Sequence, residues 1–342
     1  MAIERNNGME KRLQNVSWPI LKENNELCDD KVKYGHGTSF LWPKCAAGEW
    51  KEAYTRFFGD TEYPIVRTLV EGGPGAVAGL REGDELMAIN DRQVDTKKRS
   101  MKSFQKQLDE AFESGQPVIF HIRRNGAEQD VSIKPERICA AQMVLVPESI
   151  INAFTDGKHI AVYTRMMSFA ETDNELATVI GHELAHLAMD HVEAKQGNAL
   201  IGSFFDILFA AATGVNPGIG QQVGMMMYSQ EFEQEADYIG LYMTARAGYS
   251  IDNADEFWRR MGMEHPDSIT HASSHPNTAD RFLMLGSTAD EINMKRMSGL
   301  PLHPEFKEAT KETAKTNNSA LSPREGDTET GIYNCPRGIG RH

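Results

Sequence analysis

The stretch VIGHELAHLAMDH, residues 179–191, constrains the fold more than any other part of the chain. It follows Thr172-Asp-Asn-Glu175, the spacing in which a threonine and a glutamate satisfy each other's backbone donors at a helix start. An apolar run comes next, so the sequence predicts a helix that opens at 172 and stops near Gly197, where glycine suits a C-terminal cap. Leu176, Val179, Ile180 and Leu187 form an anchoring face. On another face His182 and His186 stand four residues apart, one turn above each other, so their imidazoles can converge on a single ion. Glu183 is offset by about 100° around the helix, beside such an ion rather than on it. That is where a base must stand to take a proton from a water on the metal. Eleven histidines in 342 residues allow His-Glu-x-x-His to arise by chance. The motif therefore needs a third ligand before it means a metal centre.

His191 is one option. A site of the type His-Glu-x-x-His-x-x-Gly-x-x-His would need glycine at 189 and histidine at 192, where this chain has Met189 and Val192. His191 thus reads as a surface or supporting histidine. The better option is SQEFEQEADYIGL, in a second predicted helix running from about Ser229 to Gly248. Glu233 and Asp237 are four apart and face the same way. Glu233 would complete a two-histidine, one-glutamate set with one position left for water. Asp237 would accept the remaining N–H of a ligand histidine and fix its tautomer. The helix dipole alone also favours acidic residues here, since Glu231, Glu233 and Glu235 all lie in the first turns. Only the upstream histidine pair turns this acidic start into a ligand prediction.

Elsewhere the signals are organisational. A net charge of −13 argues against a general nucleic-acid binder, which needs a phosphate-neutralising face. The start, MAIERNNGMEKR, has no apolar leader segment, which predicts either a cytosolic chain or one whose leader has been removed. The longest apolar stretch, residues 199–215, is too short to span a bilayer and contains Asp206. Met225, Met226 and Met227 follow it; a covering helix pair or a lid touching a membrane periphery would both suit this composition. Cys28, Cys45, Cys139 and Cys335 are far apart, so paired disulfides and reduced buried thiols both remain open. Residues 11–28 are weakly amphipathic, with Pro19 predicting a kink or a late helix start. Between 61 and 137 come a strand (PIVRTLV), a helix (SMKSFQKQLDEAFESG) and a hairpin turning at Asn125-Gly126. MVLVPESIINAF and KHIAVYTRMMSF then read as strands around Asp156-Gly157. Residues 304–342 have the composition of a mostly disordered tail.

Four pieces in this order resemble the HtpX and CAAX prenyl protease family of zinc metallopeptidases, the gluzincins, and especially their periplasmic BepA-like branch. They are Asn152-Ala153-Phe154 with Gly157, the helix His182-Glu183-Leu184-Ala185-His186, Glu233 with Asp237, and Ser274-His275-Pro276 with Arg281. The resemblance implies one Zn2+ per chain on His182, His186 and Glu233, with Glu183 as base. It also implies Asp237 in support, His275 near the oxyanion or the open metal position, and the strand at 152–154 bordering the cleft. GGPGAVAGLREGDELMAIN, residues 72–90, resembles a PDZ domain, whose ligands are extended peptides or C-termini. GTSFL, residues 37–41, is the candidate for its carboxylate-binding loop.

The expected fold is therefore α+β, a zincin-like metalloprotease domain with an inserted PDZ domain. Residues 1–60 would pack on the protease, 61–137 would be the PDZ domain, 138–303 the protease and 304–342 the tail. The expected activity is zinc-dependent endoproteolysis of unfolded or misassembled polypeptides, with the PDZ domain tethering substrate or gating the site. The resemblance places the chain in the periplasm or another exported location. The rival expectation is a non-catalytic PDZ adaptor or chaperone with a latent or structural metal site.

Overall fold

The computed structural model of the protein describes residues 2–46, 48–97, 100–192, 228–264 and 279–305. Its first helix, α1 (Ala2–Glu23), runs through Pro19 without the expected break. The backbone donor missing at Pro19 is outweighed by burial, because Leu13, Val16, Ile20 and Leu21 are all within 3% of complete burial. The helix end is also tied down: Asn24 Nδ2 donates to Ile20 O at 2.8 Å and to Met243 O at 2.9 Å.

From there the chain leaves through β1 (Val32–Gly35) and returns through β8 (Glu136–Cys139). These strands pair antiparallel, with Val32 opposite Cys139. A buried disulfide joins Cys28 to Cys139 beside them, so the oxidised alternative holds for this pair. The neck encloses a sheet of order β2-β3-β4-β6-β7, with β5 added to β4. Its strands are β2 (Thr38–Leu41), β3 (Ile65–Leu69), β4 (Glu85–Ile89), β5 (Arg92–Gln93), β6 (Val118–Arg124) and β7 (Ala127–Ile133). Helices α2 (Gly48–Phe58), α3 (Pro74–Val77) and α4 (Met101–Phe112) connect them. The unit has its own core, including Trp42, Leu86, Phe104, Leu108, Phe120 and Ile122. Asn125 and Gly126 both take positive φ, 50° and 80°, as a type I′ turn requires. The sheet begins ahead of residue 61. β2 pairs with β3, and buried Trp42 donates to Glu62 O at 3.0 Å, so residues 38–42 belong here and not to a segment lying on the protease.

The second and larger core gathers α1 and most of the described chain beyond residue 138. β9 (Gln142–Val146) pairs parallel with β11 (His159–Tyr163), which pairs antiparallel with β10 (Ala153–Thr155). The β10–β11 turn is held by Asp156 Oδ1, which accepts from the amides of Lys158 and His159, while Gly157 supplies φ 89°. TRMMSF is a helix, α5 (Thr164–Phe169), and not the end of a strand. It buries Met166, Met167 and Phe169, a spacing that alternation cannot deliver.

Helix α6 (Asp173–Ala188) starts on the complete capping box of Thr172 and Glu175. It ends at Ala188, short of Gly197, because Asp190 turns into a left-handed conformation at φ 58°. Lys31 Nζ secures that turn, donating to Leu187 O at 2.8 Å and pairing with Asp190. Next among the described residues are α7 (Gln230–Arg246), capped by Ser229, α8 (Ala254–Glu264) and α9 (Ala279–Met297). The stretch 199–215, Met225–Met227, His275 and most of the expected tail lie outside the described residues. No helix among the described residues is long and apolar enough to cross a membrane.

Candidate metal centre

The two motif-bearing helices, α6 and α7, are pressed together at Gly181 and Gly240. A Cβ on Gly181 would fall 2.5 Å from Gly240 O, so neither helix tolerates a side chain at the crossing. This contact brings the face carrying His182 and His186 against the first turns of α7. His182, Glu183, His186, Glu233 and Asp237 are all buried to within 3%.

Three side chains form a closed triangle, with Glu233 turning a different oxygen to each histidine. His182 Nε2 and His186 Nε2 are 3.1 Å apart, His186 Nε2 lies 3.3 Å from Glu233 Oε1, and His182 Nε2 lies 3.5 Å from Glu233 Oε2. A tetrahedral zinc with ligands at about 2.0–2.2 Å needs ligand atoms roughly 3.3–3.5 Å apart, so the set fits the ion. The outer nitrogens support the same reading. His182 Nδ1 is 2.9 Å from Asp237 Oδ1, which leaves its Nε2 with a lone pair facing the triangle. Burial opposes a charge on His182, yet the hydrogen bonds and charges of Asp237 and Glu233 outweigh it and raise its pKa above the usual histidine value. The pocket thus favours a positive charge where the ion would sit.

Arg281, from α9, completes the electrostatics. Its Nε and Nη2 grip Asp237 at 2.6 and 2.8 Å, and its Nη1 reaches Glu233 Oε2 at 3.0 Å. Burial disfavours charge on Asp237, but the Arg281 guanidinium and His182 hold its carboxyl below the usual range. Arg281 itself is shifted upward, against burial, by Asp237 and Glu233. Trp258 closes this side, with its ring 5.2 Å from that of His182 and 5.2 Å below the guanidinium.

Three further neighbours line the centre, and the sequence flagged His191 alone among them. Tyr228 stacks flat on His186, centroids 3.9 Å apart, and its hydroxyl donates to Thr155 O on β10 at 3.4 Å. Burial and the carboxylates of Glu183, Glu233 and Asp156 raise its pKa. His191 is buried between His186 and Glu235, which fits the supporting alternative and not the surface one. The remaining one, Trp258, carried no motif. Glycines inside both motif helices were the available signal for a close helix crossing. The predicted strand at 152–154 is β10 with Asn152 just ahead of it, next to the centre.

Residues 129–289 match the profile of peptidase family M48. The matched segment contains both helices of the triangle. The mitochondrial metalloendopeptidase OMA1 of Arabidopsis thaliana is 28% identical over 238 residues, covering 67% of this chain and 46% of that protein. A putative beta-barrel assembly-enhancing protease of Vibrio cholerae is 27% identical over 147 residues, covering 39% and 30%. The beta-barrel assembly-enhancing protease of Escherichia coli O157:H7 is 31% identical over 134 residues, covering 34% and 27%. The chain spans less than half the length of each of these three relatives. The matched segment is thus similar to metallopeptidases from a mitochondrial and a bacterial group.

Proposed function

We propose that the chain is a zinc-dependent endopeptidase in which His182, His186 and Glu233 hold the metal and Glu183 is the general base. The triangle of side chains, with contacts of 3.1, 3.3 and 3.5 Å, carries this reading, because buried groups converge there with their lone pairs inward. Bound zinc would polarise the scissile carbonyl and lower the pKa of a water in its open position. Glu183, buried beside His182 on α6, takes the proton from the attacking water and passes it to the leaving amine. Asp237 orients His182, and Arg281 holds the Asp237 carboxyl ionised while it also reaches Glu233. His275 is assigned to the oxyanion side by family resemblance alone.

The unit built on β2–β7 is read as a PDZ-type module. An ordered glycine corner supports this reading: Gly83 takes φ 90°, and buried Asp84 is gripped by Arg124 through two contacts of 2.6 Å. β2 is the outermost strand of its sheet and lies beside α4, with Phe40 and Phe104 edge to face at 5.3 Å. A cavity of about 870 Å³ runs between β2, α4 and residues 140–143 at β9. An extended peptide adding to β2 would lie in it and tether substrate near the protease. Unfolded or misassembled proteins are the proposed substrates, and the HtpX/BepA-like branch the proposed affiliation. The Cys28–Cys139 disulfide suits an oxidising compartment and hence an exported chain.

The test is metal content together with casein cleavage, with and without chelator, beside Glu183→Gln. The expected protein binds one zinc, loses activity on chelation, and slows by at least ~100-fold in Glu183→Gln while keeping its zinc. An active Glu183→Gln protein would remove the base. A zinc-loaded wild type as inert as the variant would favour the non-catalytic adaptor.

A further inference from the structure

We propose that His191 and Glu235 form a two-step positioning relay that fixes His186 as a metal ligand. The proposal rests on the metal-centre reading above and adds residues to which that reading gives no role. The chain is shaped to deliver them. After α6 ends at Ala188, the left-handed Asp190 reverses the backbone, so that His191 folds back beneath His186. His191 is 2% exposed, and its ring stacks on Phe232 with centroids 4.4 Å apart. Phe232 immediately precedes the ligand Glu233, so the stack also registers α6 against the start of α7.

Two distances then determine the tautomers. His191 Nε2 is 3.1 Å from Glu235 Oε2, and His191 Nδ1 is 2.9 Å from His186 Nδ1. An ionised carboxylate only accepts, so His191 Nε2 must be the nitrogen that carries hydrogen. A neutral His191 therefore turns a bare Nδ1 toward His186. His186 must donate from its own Nδ1, which leaves the lone pair of His186 Nε2 in the ligand triangle. The opposite arrangement would place an N–H of His186 inside the triangle, where it would exclude a cation. Asp237 performs the same service for His182 in one step, at 2.9 Å. Two carboxylates of one helix thus set both ligand histidines of the other, one directly and one through an imidazole.

A His191 that merely filled space would be replaceable by phenylalanine, which preserves the stack on Phe232. A relay would not survive that change, because His186 Nδ1–H would lose its acceptor. Asparagine is the conservative rescue, since its amide oxygen comes close to the position of Nδ1. The experiment measures zinc affinity of the full chain by competition with a chromogenic chelator, and the visible spectrum of the Co2+-loaded protein. It compares wild type with His191→Phe, His191→Asn and Glu235→Leu. The expected loss of affinity is about 10–100-fold for His191→Phe, with an altered cobalt spectrum, and most of the loss is recovered in His191→Asn. Glu235→Leu, at a side chain still 23% exposed, should fold normally and lose affinity to an intermediate degree. A wild type that holds no zinc would overturn the metal-centre reading and the relay with it. A wild type that binds zinc, with His191→Phe or Glu235→Leu binding equally tightly and an unchanged cobalt spectrum, would overturn the relay alone.

Discussion

Gly240 lies directly against the backbone of His182: a Cβ placed on Gly240 would stand 2.7 Å from both Cα and N of His182. The atoms opposing it are backbone, which cannot swing aside as a side-chain end can. Replacement by alanine must push α7 away from α6, and Glu233, two turns nearer the start of α7, must move with it. Gly240→Ala should therefore cost about 1–3 kcal/mol of stability, as overpacking does in a filled core, and weaken zinc binding in the same protein. Denaturant unfolding paired with zinc titration checks this. Unchanged values in both would mean that the two helices are less closely coupled than the contact indicates.

Arg281 is the only arginine or lysine among the described residues that pairs with both Glu233 and Asp237. Removing one member of a buried charge set typically costs about 3–5 kcal/mol, because its partners stay buried without compensation. Arg281→Met should show this cost most fully in the metal-free protein, since a bound cation partly replaces the guanidinium. Arg281→Lys should rescue little, because one ammonium cannot grip Asp237 at two points and still reach Glu233. Unfolding curves measured with and without chelator distinguish the two states. An equal, small effect in both would place the stabilisation elsewhere.

How legible this molecule was in its sequence depended on the range of the interaction concerned. The capping box at Thr172, the hairpin at Asn125-Gly126 and the one-turn spacing that brings His182 and His186 together are local, and each appears in the structure where its residues predicted it. Glu233 was reachable because helical spacing paired it with Asp237. TRMMSF was misread as strand because a short run of apolar residues carries too little periodicity to separate the two states. Pro19 misled because propensity is weak against a buried face. The early start of the inserted sheet was hidden because β2 is joined to β3 only after an intervening helix. His191 shows the same limit at the site itself. Its role depends on a backbone reversal at Asp190 and on Glu235, 44 residues away, and no local pattern encodes either.

His36 sets a pH dependence within the inserted unit. Its ring stacks on Phe112 at 4.9 Å, and burial, aided by the charge of Lys33, pushes its pKa down from 6.5 to about 3. The unfolded chain therefore binds a proton between about pH 6.5 and 3 that the folded unit refuses. The stability from neutral His36 is complete above pH 6.5 and declines as pH falls through that window, at no more than about 1.4 kcal/mol per pH unit. His36→Phe should keep the stack and flatten the acid side of the stability curve. Unfolding free energies at pH 7, 5 and 4 provide the measurement, and parallel curves for the two proteins would dismiss His36 as the cause.

The Cys28–Cys139 disulfide closes a separation of 111 residues at the neck of the insertion. Without it, β1 and β8 must hold the neck through their backbone pairing alone, aided by Lys22 and Trp18, which both reach Glu136. A cross-link of this span removes chain entropy mainly from the unfolded state, and losing a native one typically costs about 2–5 kcal/mol. The double variant Cys28→Ala/Cys139→Ala should unfold at lower denaturant by that margin. Its zinc affinity should change much less, because the ligand helices α6 and α7 are joined by the contact at Gly181 and Gly240 and not through the neck. A reductant should shift the wild type toward the variant. If the variant instead lost zinc as steeply as it lost stability, the neck and the metal centre would have to be one cooperative unit.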